Sequence, residues 1–217
     1  MSIQVTSING QPYINGKPVY YGETRGRNIL INGEVTRINQ RGFDGTSWID
    51  GEYAYDRWKA TASEMTQIVE DTNYKYDTEY TLSGDGITTS QITSPSSGDW
   101  TIPDVPRTAR NIQLEEGSVA TPFEVVPIAD TLSRCQRYYE VRDKNVLMFP
   151  WDSGTQIVRG HAEYKVTKRK IPDIVATKLS GESTMAPKEI TIDGFKWAGT
   201  GDAGTLAEYS YTADAEL

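Results

Sequence analysis

The chain is poor in residues that commonly carry catalysis or metal binding. It has one cysteine, Cys135, and one histidine, His161, among 217 residues. A single cysteine excludes an internal disulfide framework and a cysteine-rich zinc site. Only one imidazole is available for a Cys-His pair or a Ser-His-Asp triad. Because VRGHAEYKV alternates as a strand does, we expect His161 to be structural, and we expect Cys135 to be a small buried hydrophobe.

Long apolar runs and an excess of basic residues are also missing. No stretch of about 18 apolar residues and no charged-then-apolar N-terminus occurs, so neither membrane insertion nor a secretory signal is predicted. The net charge is −8, and residues 31–133 alone carry 7 basic and 17 acidic side chains. An acidic middle repels a phosphate backbone, and the basic cluster Lys168 to Lys170 is too short to compensate. We therefore expect no binding to nucleic acid.

Most of the aromatic residues in the chain are of types suited to partly solvent-exposed positions. Thirteen tyrosines and five tryptophans stand against four phenylalanines, in a chain that is 37% hydrophobic. Tyrosine and tryptophan combine an apolar ring with a polar group, which suits interfaces. This composition predicts a protein with thin cores that gains stability by oligomerisation.

Turn residues divide the chain into short strands and predict an all-β fold. In residues 1–27, Ile-Asn-Gly occurs at 8–10 and again at 14–16, and Asn-Gly between apolar residues is a strong hairpin signal. Such short strands are unstable alone, so we expect this segment to dock on a larger particle, with a flexible leader as the alternative. Residues 28–127 alternate with frequent turns, as an antiparallel, jelly-roll-like β-sandwich does.

One segment departs from this pattern. Ile128, Leu132, Cys135 and Tyr139 follow Pro127 at helical spacing, which predicts a short connector helix over 128–139. Residues 140–217 return to strands and predict a second small β-sandwich of five strands.

Five stretches carry a resemblance to a known family. They are NILINGEVTRINQRG, YAYDRWK, QLEEGSVATPFEVVP, RCQRYYE and YTADAEL, in this order. Together they resemble bacteriophage tail-fibre and related virion fibre proteins, over about Asn28 to Leu217. The resemblance implies a jelly-roll, carbohydrate-binding-like domain, then a short helix and a C-terminal β tip domain. The stretch from Lys59 to Gln113 is shorter here than in many members.

The resemblance also implies a role and partners. We expect a homotrimer that is assembled in the host cytoplasm, forms part of the virion and adheres to host-surface polysaccharide. Residues 1–27 are expected to attach it to other virion proteins.

Sugar binding requires exposed aromatic faces with polar groups at their edges. The sequence offers four such places, with a core or interface position as the alternative for each tryptophan, while Trp58 is expected in the core. The candidate carbohydrate-binding residues are Trp151 with Asp152, Trp197 with Asp193, Trp48 between Asp44 and Asp50, and Trp100 beside Asp99.

No cofactor is expected, although the acidic loop from Asp44 to Asp56 could hold calcium. Carboxylates and backbone carbonyls around glycines are what this ion takes. The loop lacks regular DxDxDG spacing, so a solvated loop is the alternative.

Three classes of function compete. The first is a non-enzymatic fibre or spike that adheres to glycans, with receptor contacts made by the C-terminal domain and virion attachment by the N-terminal segment. The second is a head fibre, capsid decoration or adaptor with a mainly structural role. The third is a glycan depolymerase, which needs two carboxylates at a set separation and usually a long groove. Because no repeat is long enough for such a groove, we expect the protein not to be an enzyme.

Overall fold

Antiparallel strands make up most of the fold. A computed structural model describes residues 5–8, 11–14, 17–18, 28–148, 155–181, 184–202 and 206–216. Within these residues there are seventeen strands, one α-helix and one short 3₁₀ turn. This confirms the predicted all-β fold with antiparallel sandwiches. None of the helices in the described residues is long and apolar enough to cross a membrane.

The elements before residue 128 are short. They are β1 (Val5–Ile8), β2 (Gln11–Ile14), β3 (Lys17–Pro18), β4 (Lys59–Ala60), β5 (Glu64–Thr66), β6 (Ile68–Val69), the 3₁₀ turn (Asp71–Asn73), β7 (Glu79–Asp85), β8 (Ser90–Thr93), β9 (Trp100–Thr101), β10 (Val105–Pro106) and β11 (Arg110–Glu116). The later elements are α1 (Ile128–Gln136), β12 (Tyr139–Met148), β13 (Thr155–Glu163), β14 (Asp173–Gly181), β15 (Thr184–Lys188), β16 (Gly194–Asp202) and β17 (Leu206–Asp214).

The N-terminal strands pair as the Asn-Gly signals predict. Ile8 pairs with Gln11 between β1 and β2, and Ile14 pairs with Lys17 between β2 and β3. Both registers fit two-residue connections. The predicted attachment to other virion proteins is not tested by this pairing.

Residues 28–127, here called the middle region, enclose one apolar cluster. Its sheets have the strand orders β10-β5-β4, β6-β9 and β11-β7-β8. Period-two alternation sends Tyr80 and Leu82 of β7, and Ile112 and Leu114 of β11, into this cluster. Trp58 lies there fully buried, as predicted.

The stretch NILINGEVTRINQRG, at the start of the predicted sandwich, contains no strand. Residues 28–42 make turns and bends, because two asparagines bind the backbone in place of a ladder. Asn28 accepts hydrogen bonds from the N–H groups of Leu30 and Leu114. Asn32 donates to the carbonyls of Val35 and Ile38. Gly33 is required here, since a Cβ would lie 2.3 Å from the Ile112 carbonyl oxygen.

The chain leaves the middle region through a strap over the outer face of β11. The buried Glu115 carboxylate accepts hydrogen bonds from the N–H and the hydroxyl of Thr121 and from Gln113 Nε2. These bonds satisfy a carboxylate that would otherwise be costly to bury. The stretch QLEEGSVATPFEVVP is therefore a structural closure of this sheet.

Helix α1 is shorter than predicted. Pro127 precedes its first turn, and the helix ends at Gln136, so Tyr139 opens β12 instead of extending the helical face. Cys135 and Leu132 pack with Ile31 and Ile38 of the middle region, while Ile128 is 55% exposed. The expected burial of Cys135 is confirmed. Arg134 Nη2 also donates to the Leu30 carbonyl at 3.4 Å.

Residues 139–216, here called the C-terminal region, form a sandwich of two three-stranded sheets. Their strand orders are β12-β17-β14 and β13-β16-β15. Phe195 and Trp197 from β16 meet Tyr209 and Tyr211 from β17 in the core between them. The described residues contain six strands here, one more than the five predicted, because β15 (Thr184–Lys188) was missed.

Candidate functional site

Two of the tryptophans proposed to bind sugar are buried in the structure. Trp197 is 0% exposed and packs against Phe195 and Tyr209. Trp100 is 7% exposed and packs between Tyr74 and Tyr80. Neither ring offers an open face to a sugar, so both predictions are corrected. They fail because alternation and flanking polar residues do not reveal which side of a short strand faces the core.

The other C-terminal candidates give no assembled site. Asp193 is exposed, and its carboxylate accepts a hydrogen bond from the Thr167 hydroxyl at 2.8 Å. It therefore stabilises a turn beside a tryptophan whose ring is buried. Trp151 and Asp152 lie outside the described residues.

Trp48 keeps a partly exposed ring on the loop formed by residues 43–55, which we call the Trp48 loop. The loop is shaped by Asp44, whose carboxylate accepts hydrogen bonds from the backbone N–H groups of Thr46 and Ser47, each at 2.7 Å. The Ser47 hydroxyl and N–H, followed by Thr46, hold the pKa of Asp44 well below its usual range. A turn of this kind presents Trp48 without help from a regular strand.

Aromatic rings and one arginine fix the orientation of Trp48. Its centroid lies 4.8 Å from that of Phe43 and 6.0 Å from that of Tyr55, both in edge-to-face geometry. The Arg107 guanidinium lies 4.9 Å from the Trp48 centroid and also donates to the carbonyls of Thr61 and Glu64. The ring is thus held on several sides while part of it faces solvent.

The surroundings of Trp48 are rich in hydrogen-bond acceptors. Asp50 and Glu52 are exposed on the same loop, and Ile49 is 65% exposed. Rigid aromatic surface with carboxylates nearby is suited to the C–H face and the hydroxyls of a sugar. Among the described tryptophans, Trp48 is the candidate that keeps this possibility.

In the acidic loop from Asp44 to Asp56, two carboxylates are already held by hydrogen bonds within the chain. The Asp44 carboxylate is committed to its own turn, and that of Asp56 accepts hydrogen bonds from the backbone and side chain of Gln40. Burial raises the pKa of Asp56, and the bonds from Gln40 act against this effect. No group of three or more metal-ligating side chains occurs in the parts of the chain that the structure describes.

A second constellation was not predicted as a site: a cluster of charges where the middle and C-terminal regions meet. We call it the ionic joint and define it as Arg41, Arg57, Asp214 and Glu216. Arg57 is 1% exposed in its side chain and pairs with Glu216, which is 5% exposed. Arg41 lies 3.2 Å from Asp214 and 3.5 Å from Glu216.

Two consecutive tyrosines, Tyr138 and Tyr139, pack against the arginines of this joint. The Arg57 guanidinium lies 3.5 Å from the Tyr138 centroid, and that of Arg41 lies 3.8 Å from the Tyr139 centroid. Cation–π contacts of this kind are strongest where water is excluded. Burial, with a contribution from the Glu216 carboxylate, also raises the pKa of the nearby Tyr53 to about 12.

Further charged contacts lie beside the joint, and those of Glu70 and Asp99 with Arg169 connect the two regions. Glu70 lies 2.9 Å from Arg169 Nε and 3.3 Å from Arg137 Nη2, and Asp99 lies 2.9 Å from Arg169 Nη2. Lys168 pairs with Glu140 at 2.7 Å, and both side chains are fully buried. Burial lowers the pKa of Lys168, and Glu140 opposes this shift.

The joint is built from four of the sequence stretches that carry the resemblance to fibre proteins. NQRG supplies Arg41, DRW supplies Arg57, RCQRYYE supplies the two tyrosines and YTADAEL supplies Asp214 and Glu216. Sequence analysis missed their meeting because they are up to 175 residues apart. The available signal was the charged residues and the tyrosine pair that these stretches carry.

The reactive side chains of the chain are not brought together. His161 lies on β13 with its side chain 57% exposed and its Nδ1 3.8 Å from Glu163. Cys135 is buried in the cluster beneath α1, and burial raises the pKa of its thiol. They belong to different regions of the fold, so a Cys-His catalytic pair is not formed.

Comparison with known proteins gives little further guidance. No family model and no curated protein sequence matches the chain. Two solved structures of discoidin II from Dictyostelium discoideum align with it, the native recombinant protein and the wild-type protein. Each is 10% identical with a TM-score of 0.30; the alignments cover 86% and 88% of this chain and 91% and 92% of theirs. Values this low carry no argument about fold or function.

Proposed function

We propose that this chain is a non-enzymatic component of a virion fibre or spike that contacts host-surface glycans through the Trp48 loop. The observation that carries the proposal is the partly exposed, rigidly held ring of Trp48 beside Asp50 and Glu52. The motif resemblance to phage fibre proteins supplies the biological setting.

The loop supports weak, repeated contacts with saccharides. One half-open aromatic ring buries little ligand surface, so a single site is expected to bind weakly. A homotrimer would present three copies on one particle, and linked sites raise the overall affinity without new contacts. Adhesion through this loop therefore fits an oligomer better than a monomer.

The direct test is binding of the intact protein to a glycan array and to polysaccharide from candidate hosts. Trp48→Ala should remove binding because it removes the stacking surface. Tyr76→Ala is a matched control, since Tyr76 is also an exposed aromatic residue of the middle region, at 45% exposure, but lies outside the Trp48 loop.

Two results would contradict the proposal. Equal glycan binding by the wild-type protein and Trp48→Ala would show that the glycan site does not include Trp48. Release of reducing sugar from host polysaccharide by the purified protein would replace adhesion with depolymerase activity.

Oligomeric state and attachment are separate parts of the proposal. We propose a homotrimer, with residues 1–27 joined to other virion proteins. Light scattering at micromolar concentration should give three times the chain mass of 24.2 kDa. A monomeric mass would remove the trimer.

A mainly structural role, as a head fibre, capsid decoration or adaptor, is the second candidate. The ionic joint favours it, because buried charge pairs between the regions hold them in a set orientation. Antibody labelling of the parent virion in electron micrographs distinguishes the two: label at fibre tips supports adhesion, and label on the capsid or at a connector supports the structural role.

A further inference from the structure

The boundary between α1 and β12 has an unusual composition of contacts. The described apolar side chains form three clusters, and none of them includes residues from both sides of the peptide between Tyr138 and Tyr139. Helix α1 shares its cluster with Ile31 and Ile38 and so belongs to the middle region. The C-terminal region has a core of its own, made from β13 to β17.

The contacts that do cross this boundary are polar or charged. The Ala215 N–H donates to the Tyr138 carbonyl at 2.7 Å, and Gln40 Nε2 donates to the Tyr139 carbonyl at 2.9 Å. The Arg169 N–H donates to the Arg137 carbonyl at 3.0 Å. The buried Lys168 ammonium donates to the Gln136 carbonyl, and the Arg41 guanidinium lies 3.8 Å from the Tyr139 centroid. The ion pairs of the joint and those of Glu70 and Asp99 with Arg169 also cross the boundary.

Such an interface differs from a domain core. Regions joined without a large hydrophobic contact are expected to move relative to each other unless specific interactions prevent it. Among the described ion pairs that cross the boundary, Arg57 with Glu216 is the most deeply buried. Removing one partner of a buried pair leaves an uncompensated charge, so this pair has the largest influence on the docked arrangement.

We propose that the C-terminal region docks on the middle region as a hinged unit, with its hinge at residues 137–139 and with the Arg57–Glu216 pair as its latch. Without the latch, the C-terminal region separates while α1 stays on the middle region. This conformational device does not depend on glycan binding.

Glu216→Gln in the full chain tests the latch, because it keeps the shape of the side chain and removes its charge. Trypsin cleavage after Arg137 should become at least roughly tenfold faster, since local opening exposes the hinge. Small-angle X-ray scattering should show a larger maximum dimension. The Cys135 thiol should stay as unreactive as in wild type, because its cluster lies on the middle-region side.

Glu189→Gln is the matched control. Glu189 also pairs with a cation in the C-terminal region, Lys196, but its side chain is 67% exposed and lies outside the joint. It should leave cleavage, scattering and thiol reactivity unchanged.

The proposal is overturned if Glu216→Gln keeps the wild-type cleavage rate and scattering. It is also overturned if Cys135 becomes reactive in parallel with cleavage, because the opening would then include α1.

Arg41→Gln provides a second variant that is less at risk of misfolding, since the Arg41 side chain is 15% exposed. It should accelerate cleavage less than Glu216→Gln does, and the double variant should exceed Glu216→Gln only slightly. Fully additive effects would contradict a shared latch.

Discussion

The ionic joint and the Trp48 loop are both built from arginines, aromatic rings and carboxylates. They differ in whether the carboxylates are paired within the chain or exposed to solvent. In the joint, Arg57 and Arg41 lie over tyrosine rings, and Glu216 and Asp214 close the arrangement from the other region. In the loop, Arg107 lies over Trp48, while Asp50 and Glu52 remain exposed. The difference is that the carboxylates of the joint pair with its arginines, whereas Asp50 and Glu52 of the Trp48 loop stay exposed to solvent.

The largest expected effect comes from breaking the joint. Arg57→Met should lower the free energy of unfolding by about 3–5 kcal/mol, because it leaves the Glu216 carboxylate buried without its partner. Replacing both residues, with Arg57→Met and Glu216→Leu, should recover most of that loss. Urea unfolding measures both variants.

A partly exposed pair supplies the control for this prediction. Glu34→Gln removes the ion pair between Glu34 and Arg37, whose side chains are 33% and 26% exposed. This change should lower the free energy of unfolding by about 0–1 kcal/mol. An equal loss in Arg57→Met and Glu34→Gln would show that burial gives the joint no special weight.

Truncation of a tryptophan should lower the free energy of unfolding more in the C-terminal core than in the Trp48 loop. Trp197→Ala, in the closed core, should cost about 3–5 kcal/mol through lost burial and cavity formation. Trp48→Ala should cost about 1 kcal/mol, because its ring is already partly in water. If thermal or urea unfolding gives equal losses, Trp48 is a core residue and its role in ligand contact is excluded.

A smaller effect concerns alkaline pH. The pKa of Tyr53 is raised from 10.0 to about 12, chiefly by burial beside the joint. The folded protein keeps a proton that the unfolded chain loses, so the free energy of unfolding should fall as pH rises from about 10 to about 12. Urea unfolding across this range, with Tyr53→Phe for comparison, measures the contribution. A slope unchanged by Tyr53→Phe would assign the effect to other tyrosines.

Local patterns were reliable where the signal and its partner are close in sequence. Asn-Gly predicts the N-terminal pairing of Ile8 with Gln11. Helical spacing places Cys135 in a buried cluster. In each case a few neighbouring residues determine the backbone conformation or the buried face.

Errors arose where side chains compete with the backbone or where distant strands decide burial. Asn28 and Asn32 turn an alternating stretch into a bend by binding backbone groups. Tyr139 fits the helical period, yet it pairs with Asp214 at the start of β12. Trp100 and Trp197 stand beside exposed polar residues, yet the sheets that cover them come from other segments.

The sequence by itself determined the all-β class, the short helix after Pro127 and the scarcity of histidine and cysteine. These depend on composition and on contacts within a few residues. The tertiary structure alone decided that Arg57 meets Glu216 across 159 residues and that Trp48 stays partly open while Trp100 and Trp197 do not. Burial and charge pairing depend on which distant segments come together, and no local period carries that information.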